Sequence, residues 1–279
     1  MNASSGKGRP SGSSRGHLSL IALAALFAAF LGLPIATLVG RAIASGALAR
    51  IAGSDALVGA LTLSLATTAI SLTLTVTTGL PLAFVLARKA FRGKWLIEAI
   101  VDLPIVLPPA VAGLALLLLL GRRGVIGSGL QAAGIDIAFT TVAVVVAQTF
   151  VSAPFFIRSA RAGIASVDRD LEDAARSDGA SEWRLFRSVT VPLAAPALAA
   201  GLVMSWARAL GEFGATIMFA GNVQGRTQTL PLVVYSEFQA GDLDASIAAA
   251  TVLVVAALGG LLAVRVLHWG RVLDVRSIG

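Results

Sequence analysis

The chain has 279 residues, 56% of them hydrophobic and only 13% charged, against about 25% charged in an ordinary soluble domain. That low charge, with a mean hydropathy of +0.85, excludes a water-solvated globular domain and points to a polytopic membrane protein. There is no Cys, which excludes disulfides, thiol chemistry and thiolate metal sites, and the net charge of +7 has to be judged by where the basic residues fall.

Residues 1–17 are rich in Ser and Gly and read as a disordered cytoplasmic tail. A spanning helix needs roughly 20 apolar residues to cross a hydrocarbon core of about 30 Å. Six runs qualify: Leu18 to Val39, Ala56 to Ala87, Trp95 to Leu120, Ile137 to Ile157, Leu193 to Ala220 and Leu243 to Leu267. They are continuous and rich in Leu, Ala and Val rather than alternating, so they predict helices and not barrel strands. The fold class expected is all-α, a permease-like domain of six transmembrane helices over 18–268. The first run admits a second reading. Lys7, Arg9 and Arg15 precede it and "AIAS" at Ala42 to Ser45 resembles a cleavage site for a signal peptide. Its apolar stretch of about 22 residues exceeds the usual 7–15 of a signal sequence, which favours a retained helix.

The third run contains "DLPIVLPP", whose Pro104, Pro108 and Pro109 predict a kink or interruption. Glu98 and Asp102 stand four apart near its inner end, either meeting basic residues of a cytoplasmic loop or lying solvated at the interface. Residues 158–192 form the longest loop, and residues 269–279 a cytoplasmic C-terminal tail. His17 and His268 flank apolar runs at opposite ends of the chain, as interfacial residues rather than ligands.

With the amino terminus inside, six spans return the carboxyl terminus inside. Sixteen of the 22 basic residues then face the cytoplasm, and five (Arg41, Arg50, Arg122, Arg123 and Arg226) face out. This is the positive-inside bias, so the net charge sets topology and needs no nucleic acid. The polar outer turn from Gly221 to Pro231 carries Arg226 and offers a contact for a binding protein. The long loop, 158–192, is cytoplasmic.

Within that loop "SVDRDLEDAARSDG" reads as a short helix. Ser166 or Asp168 can cap it, acidic residues crowd its first turn, and Glu172 can pair with Arg176. Gly179 fits a helix-ending position, and "SEWRLFRSV" reads as a second short helix capped by Ser181. Pro192 and Pro196 fall in the first turns of the next span. Helix, glycine turn, helix, then membrane suits docking into a partner's groove.

"DAARSDGASEWRLFRSVTVP" resembles the EAA motif of ABC importer permeases, with Asp173, Ala174, Ala175, Gly179, Val189, Val191 and Pro192 in register. Asp173 stands where Glu is usual, and both aliphatic places are Val. The resemblance implies that Asp173, Ala174, Ala175, Gly179 and Pro192 belong to a coupling element seated in a cleft of a cytoplasmic ATPase subunit. No phosphate-cradling G-x-x-x-x-G-K-[ST] run exists in this chain, and no catalytic constellation is evident. The chain is therefore expected to be a translocation subunit and not an enzyme. ATP and Mg would be used by the partner, with no cofactor bound here.

In the fifth run Arg208 and Glu212 stand four apart, flanked by Gly211 and Gly214. Ionisable residues within a span are costly and mark an interior or a water-filled path. Two readings stand: the pair neutralises itself and locks helices, or it lines or gates an anion route. The wording "ARALGEFGATIMFAGN", then "GRTQTLPL" and Tyr235, closely resembles molybdate permease subunits, as does "LPIVLPPAVAGLALLLLLGRRG" from Leu103 to Gly124. That resemblance covers about Leu57 to Leu267. It implies a type I ABC importer permease in the cytoplasmic membrane with both termini inside. It further implies a homodimer, two ATPase subunits and a periplasmic or lipid-anchored molybdate-binding protein, with tungstate on the same route. A sulfate or thiosulfate permease shares the "GEFG" core. An ATP-independent secondary transporter would call for inverted repeats, and none is convincing.

Overall fold

A computed structural model describes the backbone of residues 13–46 and 54–276, and the side chains of 19–46 and 54–263. The described residues are helical with connecting turns: α1 (Ser13–Ala44), α2 (Asp55–Arg88), α3 (Lys94–Val106), α4 (Pro109–Leu120), α5 (Gly127–Ala132), α6 (Thr141–Ala165) and α7 (Arg169–Ser177). There follow α8 (Glu182–Leu185), a π-helical turn (Phe186–Thr190), α9 (Val191–Leu210), α10 (Gly214–Phe219), α11 (Leu230–Gln239) and α12 (Leu243–Arg276). Five helices are long and apolar enough to cross a membrane, or six if the bent pair α3–α4 counts as one span. The fold is all-α, as the apolar runs predict. Helix begins at Ser13 and ends at Arg276, so the two tails read from sequence are partly helical; 1–12 and 277–279 lie outside the described residues, as do the side chains of His17 and His268.

The centre of the bundle is α6, held between α2 and α9. Toward α9 the seam is made of small residues. Gly163 abuts Ala197, and a Cβ on Gly201 would lie 2.7 Å from the Ser159 Cβ and 3.2 Å from the Phe156 Cα. The Ser159 and Ser205 hydroxyls donate across it to the carbonyls of Ala197 (2.7 Å) and Ser152 (2.9 Å). Toward α2, the Gln148 amide donates to Thr68 (3.3 Å) and the Thr149 hydroxyl to Ser71 (3.0 Å). Ser64, Thr67, Thr68, Ser71 and Thr75 form a buried hydroxyl stripe on α2 at helical spacing. An interhelical hydrogen bond in a membrane averages only about 0.6 kcal/mol. These four bonds therefore supply roughly 2–3 kcal/mol, and the close packing that glycine and alanine allow carries most of the association.

The third run is broken rather than kinked, since α3 and α4 are bent by 118° relative to one another. Pro108 and Pro109 lack amide donors, so no helical ladder can pass through Leu107 and Pro108. The pair nevertheless advances along α6. Val101 of α3 packs beside Phe156, Ile157 and Ala160, whereas Ala112 and Leu116 of α4 pack with Val144, Ala147 and Val151. Glu98 and Asp102 meet basic residues at the end of α6: Arg161 lies 2.6 Å from Glu98 and Arg158 lies 3.6 Å from Asp102. Because α6 runs to Ala165, these arginines sit on the helix and the loop proper starts later than 158.

The fifth run departs furthest from its sequence reading. The second short helix of the loop, α8, is present and continues through the π turn into α9, so helix runs from Glu182 to Leu210 and stops nine residues before Phe219. Pro192 falls in the first turn of α9, as expected, but the helical path runs into it from the π turn. Its missing amide leaves the Ser188 carbonyl without its usual donor. The preceding turn widens to a π form, in which the Val191 amide reaches the Phe186 carbonyl.

Candidate functional site

Two regions carry the residues singled out by sequence. The first is the element made of α7, α8 and the π turn. Asp168 caps α7 by accepting from the Asp170 amide at 3.0 Å, and Ser181 caps α8 through the Arg184 amide. Gly179 sits at φ +83°, a left-handed conformation in which glycine carries no Cβ penalty. Its amide bonds to the Arg176 carbonyl and the Ala180 amide to the Ala175 carbonyl, both at 3.0 Å. This is a complete Schellman closure of α7. A Cβ at Gly179 would meet nothing within 4 Å, so glycine is required there by backbone geometry and not by crowding.

Asp173 and Ala174 are exposed, Ala175 is half-buried, and Leu171 and Trp183 are 51% and 68% exposed. Asp173, Ala174, Ala175 and Gly179 thus share one solvent-facing element, while Pro192 lies beyond the π turn at the first turn of α9. Arg176 does not pair with Glu172. It bonds to Asp173 at 2.7 Å and to Glu182 at 2.8 Å, clamping the glycine turn from both sides. Hydrogen bonding and charge from Arg176 hold the Glu182 carboxyl below its ordinary range, and Glu182 and Asp173 raise the guanidinium pKa in turn. Glu172 is instead buried at 4% exposure. It accepts from Arg88 at 2.6 Å and from the Thr190 hydroxyl at 2.8 Å. Sequence could not show that partnership, because Arg88 lies 84 positions away.

The second region is the break between α9 and α10. Arg208 lies in the last turn of α9, Gly211 ends that helix, and Glu212 follows it. The turn that closes α9, with the Gly211 amide on the Ala207 carbonyl and the Glu212 amide on the Ala209 carbonyl, keeps the two at helical spacing. It places the Glu212 carboxylate 2.5 Å from Arg208 Nη1. The other carboxylate oxygen accepts the Ala215 amide at 2.6 Å, in the first turn of α10. Glu212 is 1% exposed, whereas the Arg208 side chain keeps 26% of its surface open. A buried anion is held by a cation and a helix amide, and part of the cation still faces outward. Gly214 makes this turn possible by close approach: a Cβ there would lie 2.8 Å from the Pro109 Cβ. Gly113, which no sequence feature marked, does the same on α4, where a Cβ would lie 2.6 Å from the Ala215 carbonyl. The two proline- and glycine-broken spans thus meet at their breaks. The Thr216 and Thr229 hydroxyls are also buried. An open apolar groove of about 470 Å³ lies nearby, walled by Phe213, Tyr235 and Phe238. It has too few donors to hold an oxyanion. Among the described residues no cluster of His, Asp and Glu could hold a metal ion.

A family model described as "binding-protein-dependent transport system inner membrane component" matches residues 79–269, which include both regions. The chain belongs to this family. It is 47% identical over 198 residues to the Molybdenum transport system permease protein ModB of Mycobacterium tuberculosis, covering 71% of this chain and 75% of that one. It is 38% identical over 180 residues to the Sulfate transport system permease protein CysT of Escherichia coli, covering 64% and 65%. Among solved structures, a bacterial ABC transporter involved in alginate import aligns with a TM-score of 0.71 at 20% identity, over 91% of this chain and 94% of that one. The fold is that of an ABC importer's membrane permease, with the apolar helices of an integral membrane component.

Replacing Glu212 by Gln keeps a side-chain acceptor for the Ala215 amide but leaves Arg208 without its counter-charge. Uptake should fall at least tenfold, while the amount of assembled permease stays within about twofold of wild type. Solute uptake into vesicles, measured beside permease recovery in mild detergent, checks this. Equal, mild losses in both would identify the pair as a structural lock only.

Proposed function

We propose that this chain is the translocation subunit of an ATP-driven molybdate importer, with tungstate carried on the same route. The observation that carries the reading is the 47% identity over 198 residues to a protein named as a molybdenum transport permease. The "GEFGATIMFAGN" stretch behind the sequence resemblance builds the α9–α10 break. Sulfate is the second reading, favoured by the 38% identity to the sulfate permease.

In the proposed assembly, two copies of this chain stand over two ATPase subunits in the cytoplasmic membrane, with both termini inside. A periplasmic or lipid-anchored oxyanion-binding protein delivers cargo to the outer face. No cofactor is needed by this chain, and ATP and Mg are used by the partner. The exposed side of α7 and α8, from Leu171 to Trp183, docks into the ATPase. Closure of the two ATPase subunits moves that element, and the continuous helix from Glu182 to Leu210 carries the motion toward the break at Glu212. There Arg208 offers a partly open guanidinium to a passing oxyanion, and Glu212 keeps the site from trapping it. This division of labour makes the chain a conduit and not an enzyme.

The test is uptake into vesicles reconstituted with the cognate ATPase and binding protein. Radiolabelled molybdate should accumulate, with unlabelled tungstate competing and sulfate in large excess failing to compete. Competition by sulfate at equal concentration would transfer the assignment to the second reading. In the same vesicles Gly179→Val forces a β-branched residue into a left-handed backbone, at about 1–2 kcal/mol confined to the turn. ATP hydrolysis should continue while uptake is lost. Undiminished uptake would contradict the coupling role of this element.

A further inference from the structure

Glu172 is the one acidic residue of the cytoplasmic element, among those described, that is hidden from solvent. A docking surface has no use for a buried carboxylate, and a buried ion pair is a poor source of stability compared with apolar packing. Its geometry suggests another role. One carboxylate oxygen, Oε1, receives Arg88 Nη2 at 2.6 Å and the Thr190 hydroxyl at 2.8 Å. Arg88 Nη2 also donates to the Val167 carbonyl at 3.2 Å. One turn earlier on α2, the Phe84 ring meets the Phe186 ring edge-on with centroids 5.2 Å apart. The last turns of α2 therefore grip the entry to α7, α7 itself and the π turn. Arg88 and Glu172 side chains are 9% and 5% exposed, so the pair is shielded from salt and water.

The other end of α2 reaches the outer side. Ser64 accepts the Leu230 amide at 2.8 Å, at the start of α11, and Leu57 and Ala60 pack against Leu230 and Val233. From Arg88 to Ser64 is 24 residues of one unbroken helix, roughly 36 Å at about 1.5 Å per residue. Building on the importer reading above, we propose that Arg88, Glu172 and Thr190 form a mechanical joint that makes α2 move with the coupling helix. The ATPase stroke then reaches the membrane through two rods: α9, covalently, and α2, through this joint. The α2 rod ends on α11, just after the polar loop that follows the α9–α10 break. These three are positioning residues and touch no substrate.

The test uses the full complex of permease, ATPase and binding protein in lipid vesicles. The absence of cysteine allows spin labels at introduced cysteines in place of exposed Arg169 on α7, outside the docking stretch, and exposed Leu74 on α2. In the wild-type background the distance between them should stay narrow and unchanged between the nucleotide-free and ATP-trapped states. In Glu172→Gln it should match wild type without nucleotide, then broaden and shift when ATP is trapped. Molybdate taken up per ATP hydrolysed should drop on the order of tenfold. Wild-type distances in both states with a wild-type uptake ratio would overturn the joint. If Glu172→Gln fails to assemble, Thr190→Val removes one bond and leaves the ion pair. It should lower the ratio severalfold, and an unchanged ratio in assembled Thr190→Val would equally overturn the proposal. Uptake by the wild-type complex that proceeds without ATP would instead overturn the importer reading on which the joint depends.

Discussion

Everything in this bundle depends on how closely α6 can approach its two neighbours. Lipid offers helices no hydrophobic reason to associate, so contact has to come from shape and from polar groups that have nowhere else to go. Gly163 and Gly201 bring the α6 and α9 backbones together, and the hydroxyl stripe of α2 meets Gln148 and Thr149 on the opposite side. Neither seam would survive large side chains. With α6 fixed in this way, its two ends become platforms. The C-terminal end receives α3 through Arg158 and Arg161, and the N-terminal half receives α4 and α10 through the cluster around Phe219.

The N-terminal platform of α6 is where backbone regularity is given up. Two broken spans meet there, and each break is produced by residues that cannot continue a helix or that tolerate close contact: Pro108 and Pro109 on one side, Gly211 and Gly214 on the other. Irregular backbone at membrane depth is tolerated only where protein or a water-filled path surrounds it. Glu212 answers this constraint by giving the first turn of α10 an acceptor and giving Arg208 a counter-ion. The charges that look anomalous in an apolar sequence are what allow the chain to turn inside the bundle. The C-terminal platform obeys the opposite rule. Outside lipid, charge is inexpensive, and Arg176 spends it on clamping a glycine turn between Asp173 and Glu182.

Much of this was legible in the sequence because the determinants are local. Apolar run length gives the spans, the side chains of Asp168 and Ser181 give the caps, and Gly179 gives the turn, all within a few residues of the feature they control. The broken third span was signalled by its prolines, though not the size of its bend. One pairing differs from what local spacing suggests. Glu172 sits at perfect helical spacing from Arg176, yet its partners are Arg88 and Thr190, which only tertiary packing brings near. Arg208 and Glu212 also have helical spacing, and they do pair, across the turn that closes α9. Spacing describes what a helix would offer. It does not report where the helix stops or which distant side chain competes. Gly113 was invisible for the same cause: one glycine in an apolar run gives no hint of the backbone it will touch.

In the proposed importer the chain is a passive conduit, with a charged glycine turn at one end and two broken spans at the other. The most direct measurement is molybdate accumulation in sealed vesicles containing this chain, its ATPase and its binding protein, with each component omitted in turn and with ATP present or absent. The account predicts accumulation only when all three components and ATP are supplied. Accumulation by this chain alone, driven by an ion gradient, would contradict it.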